Sequence, residues 1–343
     1  MHMANELLSV PVAAGGFAIS GVWIAAVCRK IKDSIEGETA ALMGIMGAFV
    51  FAAQMVNFQL PFMPGTSGHL VGAVLLAIVL GPNPAVITLS SVVLVQCLIF
   101  QDGGILALGC NLLNMVIIPV YTGNFIYRLL TGKSQSVKVK YLGSIAACLI
   151  AVEAGALLVP FEVGISNVLT VPFGGFLLTM LGVHLIIGVI EGVITAAVIC
   201  YIANLRPQIL EISSNKHSLT SRSFALVMLT FTVIIACGIS LLASDKPDGL
   251  EWSYAERPDQ AGFESLVENE QPVIKQADEI QSKYSIMPDY TTRNTSLGQV
   301  NTEAESQGQW TSFAGVIGAF VTMFVIIGLV RLFNGKKHYS FIC

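Results

Sequence analysis

The first two residues, Met1 and His2, together carry three nitrogen donors that a single metal ion could bind. The free α-amine and the next backbone amide close a five-membered chelate ring, and that amide and the imidazole Nδ1 close a six-membered one. Nitrogen-rich, square-planar donor sets favour Ni(II) or Cu(II) over zinc or magnesium. Because His2 is bulky, we expect Met1 to be retained, which keeps the amine where this geometry needs it.

A fourth donor has to approach from another part of the chain, and His69 is the best candidate. It follows three small residues, Thr66, Ser67 and Gly68, after the second long apolar stretch. Small residues let a loop fold inward and present the imidazole to a cavity. The apolar runs and basic residues of the chain predict that this loop and the amino terminus lie on the same side of a membrane, so we expect Met1, His2 and His69 to share one metal site.

The composition indicates that a membrane protein positions these donors. Of the 343 residues, 54% are hydrophobic and 12% are charged, with a mean hydropathy of +0.73, whereas soluble domains are about 25% charged. Apolar runs that could cross a bilayer about 30 Å thick cover approximately 7–28, 40–60, 69–81, 85–101, 104–126, 141–160, 172–204, 223–243 and 311–331. The third run is short. We predict an all-α, polytopic membrane bundle of about seven spans followed by a two-span C-terminal module.

The distribution of basic residues predicts the orientation. Of the 18 lysines and arginines, 13 lie outside the segment 245–305, and all 13 face the cytoplasm if the amino terminus is outside. Cytoplasmic connections carry the basic excess. We therefore predict a multi-pass protein of the cell (plasma or inner) membrane, with its amino terminus outside and its carboxyl terminus in the cytoplasm. The stretch before the first apolar run has no lysine or arginine, which favours an uncleaved helix over a signal peptide.

A change in composition divides the chain into a domain at 1–221 and a module at 222–343. The second has two apolar runs around a polar, extracytoplasmic loop, in which 245–305 holds 13 acidic and 5 basic residues, a net charge of −8. Small residues at four-residue spacing, which let helices pack closely, are expected to make contacts within the chain: Gly44, Ala48, Ala52, Gly188, Gly192 and Ala196. The seven scattered cysteines are expected to be small buried apolar residues without disulfides.

Other chemistry is weaker or absent. Gly132-Lys133-Ser134 ends like a phosphate-binding loop, but Tyr127 stands where that motif requires glycine, so we expect no ATP site. His184 and Glu191 lie on one helix face. Ionisable residues inside a membrane are functional candidates, although a hydrogen bond between helices is the simpler interpretation.

Several of these motifs resemble those of the substrate-binding membrane component of cobalt/nickel energy-coupling-factor transporters, of the CbiM/NikM type. The resemblance covers about residues 1–205 and includes Met1-His2-Met3, Ser67-Gly68-His69-Leu70 and Gly109-Cys110-Asn111-Leu112-Leu113-Asn114-Met115. The second module is similar to the small companion subunit of these systems, with the signature Pro247-Asp248-Gly249-Leu250-Glu251. The fused arrangement, familiar in nickel systems, favours nickel.

The resemblance implies a set of roles and partners. Metal ligands would be the Met1 amine, the His2 amide and imidazole, and the His69 imidazole, and four polar residues would orient His69: Asn57, Ser67, Asn111 and Asn114. Partners would be a transmembrane coupling subunit and cytoplasmic ATP-binding cassette ATPases, with Ni(II) or Co(II) as the transported ion and no permanently bound cofactor. The chain departs from the family at Asn5-Glu6, where relatives often have an acidic residue followed by glycine.

Two alternatives remain open from the sequence. One is a self-sufficient, gradient-driven divalent metal transporter that uses Glu153 and Glu191 as a proton-coupled pair. The other is a membrane metalloenzyme in which a metal held by His2 and His69 activates water.

Overall fold

Long apolar helices form most of the chain. The computed structural model describes residues 1–32, 35, 37–63, 65–132, 134, 136–168, 173–205, 222–244, 246–254, 271–291 and 304–334. Its α-helices are α1 (Val10–Ile31), α2 (Gly37–Gln54), α3 (Ala73–Leu80), α4 (Pro82–Phe100), α5 (Leu108–Asn111), α6 (Ile118–Thr131), α7 (Val137–Ser166), α8 (Phe173–Leu205), α9 (Arg222–Cys237), α10 (Gly249–Tyr254), α11 (Pro272–Tyr284) and α12 (Ala304–Asn334). Two short strands, β1 (Phe58–Gln59) and β2 (Ser67–Gly68), pair in antiparallel fashion.

Eight helices of the described residues are long and apolar enough to cross a membrane. One of them is continuous from α5 to α6 through a π-helical turn at Leu112–Ile117. The predicted all-α, polytopic membrane fold is thereby confirmed. The third predicted run differs, because α3 has eight residues and spans only about 12 Å. Gly72 and Gly81, both at positive φ, bound this short helix, and Pro82 starts the next one.

Neighbouring helices of the bundle pack closely against each other at glycine residues. A Cβ atom at Gly192 of α8 would lie 2.8 Å from the Ile145 Cα of α7, and one at Gly44 of α2 would lie 2.9 Å from the Ile327 Cγ1 of α12. Both small-residue faces therefore pack within the chain, as expected. The face on α2 receives helices α9 and α12, so the C-terminal module packs directly against the first domain.

The segments that surround the predicted site meet at one end of the bundle. Met1, the hairpin β1–β2, the connection between α4 and α5, and helices α10 and α11 all meet there. The predicted division within 206–222 lies almost wholly outside the described residues, as do 255–270 and 292–303 of the polar loop.

The cysteines are free thiols in the described part of the chain. Cys97, Cys110 and Cys148 are buried as expected, Cys28 and Cys200 are half-buried, and Cys237 is exposed, which corrects the prediction for that residue. Cys343 lies outside the described residues.

Candidate metal site at the amino terminus

The amino-terminal residues are folded into the bundle rather than exposed to solvent. Met1 is 3% exposed and Met3 is fully buried. The Asn111 side chain fixes Met3 from both sides, because its Oδ1 accepts from the Met3 N–H at 2.8 Å and its Nδ2 donates to the Met3 carbonyl at 3.2 Å. The Gly104 N–H also donates to that carbonyl at 2.8 Å. These three hydrogen bonds therefore fix the backbone immediately after His2.

The Met1 amine lies between a histidine and a carboxylate. Its nitrogen is 2.8 Å from His69 Nε2 and 2.8 Å from Asp248 Oδ2. The His69 Nδ1 lies 3.1 Å from the Leu70 carbonyl, and a carbonyl can only accept, so Nδ1 carries the proton. The Nε2 lone pair is thus directed at the amine, in the tautomer that a metal ligand requires.

His2 packs beside His69 but is turned toward a second carboxylate. The two imidazole rings stack with centroids 5.3 Å apart and planes 20° apart. His2 Nδ1 lies 3.0 Å from Asp102 Oδ1, and its Nε2 lies 3.2 Å from Gln96 Oε1. The His2 nitrogen needed for the six-membered chelate ring is therefore engaged by Asp102 in this form of the protein.

A buried carboxylate from α8 positions the segment that carries His69. Glu191, 1% exposed, accepts from the Val71 N–H at 2.8 Å and from the Gly72 N–H at 3.0 Å. These donors lie two and three residues after His69, at the start of α3. Such amides at a helix start have no intrahelical partner, so Glu191 satisfies them and fixes the backbone next to His69. His184 Nδ1 instead donates to the Met180 carbonyl of its own helix at 2.8 Å.

Burial and charge set the protonation of the site. Burial lowers the pKa of His2 below its usual value. It lowers the pKa of His69 to about 3, together with the nearby Met1 ammonium and His2. Burial alone would raise the pKa of Asp248, but the Met1 ammonium and His69 hold it well below its usual range. At neutral pH both imidazoles are neutral, which is the form that binds metal ions.

The four residues expected to orient His69 lie near the site, and the hydrogen bonds described for them go to other groups. Asn111 holds Met3, Asn114 donates to Glu162 Oε2 at 2.6 Å, and Ser67 Oγ donates to the Lys246 carbonyl at 2.7 Å. The Asn57 carbonyl accepts from the Ser244 N–H at 2.7 Å. The hydrogen bonds described for these four side chains do not include His69, whose Nδ1 partner is the Leu70 carbonyl.

The structure adds carboxylates that the sequence reasoning did not assign to the site. Asp102, Glu191 and Asp248 each contact a candidate ligand residue or its backbone neighbours. A polar cavity of about 540 Å³ opens beside His2 and His69, and Asp102, Asp248 and Glu251 line it. In the described part of the chain, no three His, Cys, Asp or Glu side chains converge on a metal position.

Comparisons with known proteins agree with the sequence resemblance. The family model described as "Cobalt uptake substrate-specific transmembrane region" (CbiM) matches residues 2–209, and the PDGLE domain model matches 222–335. A putative fused nickel transport protein NikMN from Archaeoglobus fulgidus is 34% identical, over 72% of this chain and 80% of its own length. A probable fused nickel transport protein LarMN from Lactiplantibacillus plantarum is 32% identical, over 75% of this chain and 79% of its own length.

A solved structure is similar as well. It is the crystal structure of a truncated transition metal transporter, which superposes with a TM-score of 0.53 at 32% identity and covers 60% of this chain and 99% of its own. Since the CbiM model matches more than half of the residues, this chain belongs to the CbiM family of cobalt uptake substrate-specific transmembrane regions and carries a PDGLE domain after it.

Proposed function

We propose that this chain is the substrate-specific membrane component of an ATP-driven energy-coupling-factor transporter. It captures Ni(II), or Co(II), with the Met1 amine, the His2 amide and imidazole, and the His69 imidazole. The fused nickel transport relatives favour nickel. The ion is the substrate of the transporter. Its release requires only that His69 moves away from the metal or that the donor nitrogens are protonated again.

The observation that carries this proposal is the contact between Met1 and His69. Two residues 68 positions apart place the amine nitrogen and Nε2 at 2.8 Å in a buried setting. Neighbouring donors about 2 Å from a metal in a square plane are separated by roughly 2.8 Å. Completing the plane requires His2 Nδ1 to leave Asp102 and turn toward the metal.

The orientation and partners of the transporter follow the same proposal. With the amino terminus outside and the carboxyl terminus in the cytoplasm, the site opens to the extracytoplasmic side and the basic connections face the cytoplasm. A transmembrane coupling subunit and cytoplasmic ATP-binding cassette ATPases supply the energy. Membership of the CbiM family supports these partners.

The two alternatives receive less support. A proton-coupled carboxylate must exchange its partners freely, yet Glu191 is buried and engaged by two backbone amides. Glu153, its supposed partner, lies on α7, and both amides donate to Glu191. The metalloenzyme alternative is set aside because the relatives are named as transport proteins.

The terminal amine provides the sharpest test. A retained amino-terminal extension that begins Met-Leu and contains no histidine removes no side chain but converts the Met1 amine into a backbone amide, so Ni(II) affinity of the purified, membrane-reconstituted chain should fall by at least about 100-fold. The matched control carries the same extension after Cys343. Isothermal titration gives the affinity, and X-ray absorption reports nitrogen donors in the unaltered chain. Unchanged affinity in the folded, amino-terminally extended chain would exclude the Met1 amine as a ligand.

A further inference from the structure

The carboxylate of Asp248 belongs to the C-terminal module but lies against the two donors of the first domain. Its Oδ2 is 2.8 Å from the Met1 nitrogen and 3.9 Å from His69 Nε2. The Met1 nitrogen is also 2.8 Å from that Nε2. Two sides of 2.8 Å and a third of 3.9 Å form a right-angled triangle, with the amine at the right angle.

Such a triangle is three corners of a square around a metal ion. The midpoint of its longest side is equidistant from all three atoms, at about 2 Å, the length of a bond from a first-row transition metal to nitrogen or oxygen. Asp248 Oδ2 and His69 Nε2 would then lie on opposite sides of the metal, with the amine next to both. From this geometry we propose that Asp248 is an oxygen ligand of a loading state, in which Ni(II) or Co(II) is first held by the Met1 amine, His69 and Asp248.

The backbone around Asp248 fixes this oxygen in place. The Ser67 N–H donates to the Pro247 carbonyl at 2.9 Å, and Ser67 Oγ donates to the Lys246 carbonyl at 2.7 Å. Asp248 Oδ1 accepts from the Glu251 N–H at 2.8 Å and caps α10. One carboxylate oxygen therefore anchors the side chain, while the other remains for the amine or a metal.

In the same form of the protein, the His2 imidazole is held by Asp102 and is not part of this triangle. Its Nδ1 is engaged by Asp102 Oδ1 at 3.0 Å, and Tyr290 from the C-terminal module donates to Asp102 Oδ2 at 2.5 Å. The corner that Asp248 occupies, opposite His69 and beside the amine, is the one that the His2 backbone amide takes in the four-nitrogen site. Loading with Asp248 is then followed by exchange of its oxygen for the amide and imidazole of His2.

This inference rests on the proposed function and is tested in a background that removes His2. In His2→Phe, whose bulky second residue keeps Met1 in place, the amine, His69 and Asp248 are the remaining terminal and side-chain donors, so residual Co(II) and Ni(II) binding should depend on Asp248. Adding Asp248→Asn keeps a side chain that can cap α10 but removes the carboxylate ligand. We expect residual affinity to fall by at least about tenfold, and X-ray absorption of Co(II)-loaded His2→Phe to show oxygen beside nitrogen.

The matched control is Glu251→Gln in the same background. Glu251 lines the same cavity, and the Met1 and His69 contacts at the site come from Asp248 rather than from this side chain. Asp248→Ser, also an N-cap residue, is the second variant if Asp248→Asn fails to fold, with folding judged by thermal melting. Equal residual binding in His2→Phe with and without Asp248 would overturn the inference. Full affinity in His2→Phe alone would instead overturn the four-nitrogen site, and the effect of removing Asp248 could still be measured.

Discussion

Two walls of the site differ in how they hold their donors. The membrane-side wall, formed by α8 and the segment 108–117, fixes the chain through buried groups that bond to backbone: Glu191 holds the start of α3 and Asn111 holds Met3. The loop-side wall, formed by the C-terminal module and by Asp102 of the connection between α4 and α5, uses carboxylate contacts at the cavity. The side chain of Asp248 is 19% exposed, and that of Asp102, which Tyr290 contacts, is 27% exposed.

The two walls therefore have different roles. The membrane-side wall fixes the positions of the donors, and the loop-side wall makes contacts that can be exchanged. A buried carboxylate that satisfies two backbone amides is costly to disturb, because the amides would remain buried without partners. An ion pair at the edge of a polar cavity can be exchanged for water or for a metal at much lower cost. We therefore expect changes in the membrane-side wall to affect metal affinity more than changes in the loop-side wall.

The largest effect is expected from Glu191→Gln. Glutamine has one acceptor oxygen where two N–H groups need partners, and leaving one unsatisfied costs about 1–3 kcal/mol, which corresponds to roughly 5- to 150-fold in Ni(II) affinity. The matched control is Glu153→Gln, a carboxylate on α7 whose Oε1 has no hydrogen-bond partner in the described structure. Titration calorimetry of both variants measures the contrast. Equal losses, or none in Glu191→Gln, would remove the distinction between the walls.

A smaller loss is expected from Gly104→Ala. A Cβ atom at this position would lie 2.2 Å from Asn5 Oδ1 and 2.4 Å from the Asn5 backbone nitrogen, so the amino-terminal segment must shift. We expect Ni(II) affinity to fall by about tenfold, since overpacking of this kind typically costs 1–3 kcal/mol. Gly21→Ala, with open space around its Cβ, is the control. If both substitutions leave the affinity unchanged, close packing of residues 3–5 does not position the ligands.

The sequence predicted that the candidate donors lie close together, because much of their arrangement is local. Met1 and His2 are neighbours, and the apolar runs indicated that His69 and the amino terminus lie at the same end of the bundle. The all-α membrane fold followed from hydrophobicity alone. The sequence predicted α3 only as a short apolar run. Its ends could not be predicted, because they depend on the positive φ of Gly72 and Gly81.

The surrounding carboxylates could not be predicted in the same way. Asp248 belongs to a recognisable sequence signature, but it lies 247 positions from Met1, and only the docking of the C-terminal module brings the two together. Glu191 is recognisable as an intramembrane acid, but its role depends on the break before α3. The departure at Asn5 is likewise explained by tertiary contacts, because Asn5 Nδ2 donates to Asp278 Oδ1 at 2.5 Å and Asn5 Oδ1 accepts from the Leu106 N–H at 2.8 Å.

Removing one hydroxyl from the loop-side wall should have a modest effect. Tyr290→Phe loses the hydrogen bond to Asp102 but keeps the ring that stacks on Phe100. A hydrogen bond of this kind contributes about 1 kcal/mol, so we expect roughly a fivefold change in Ni(II) affinity. The control Tyr284→Phe alters an exposed ring on α11. A loss from Tyr290→Phe as large as that from Glu191→Gln would contradict the ranking of the two walls.

The smallest effect concerns pH and the stability of the metal-free chain. Burial lowers the pKa of His69 to about 3, against about 6.5 in an unfolded chain. The unfolded form therefore binds a proton that the folded form does not, and stability falls as pH drops through 6.5. Between pH 7.5 and 6.0 the loss for this one group is about 1 kcal/mol, or roughly 2–4 °C in melting temperature. Because the pKa of His2 is also lowered, His69→Gln should reduce this difference without abolishing it. Thermal melting at the two pH values measures the change, and an equal shift in both proteins would show that His69 is not held in its neutral form.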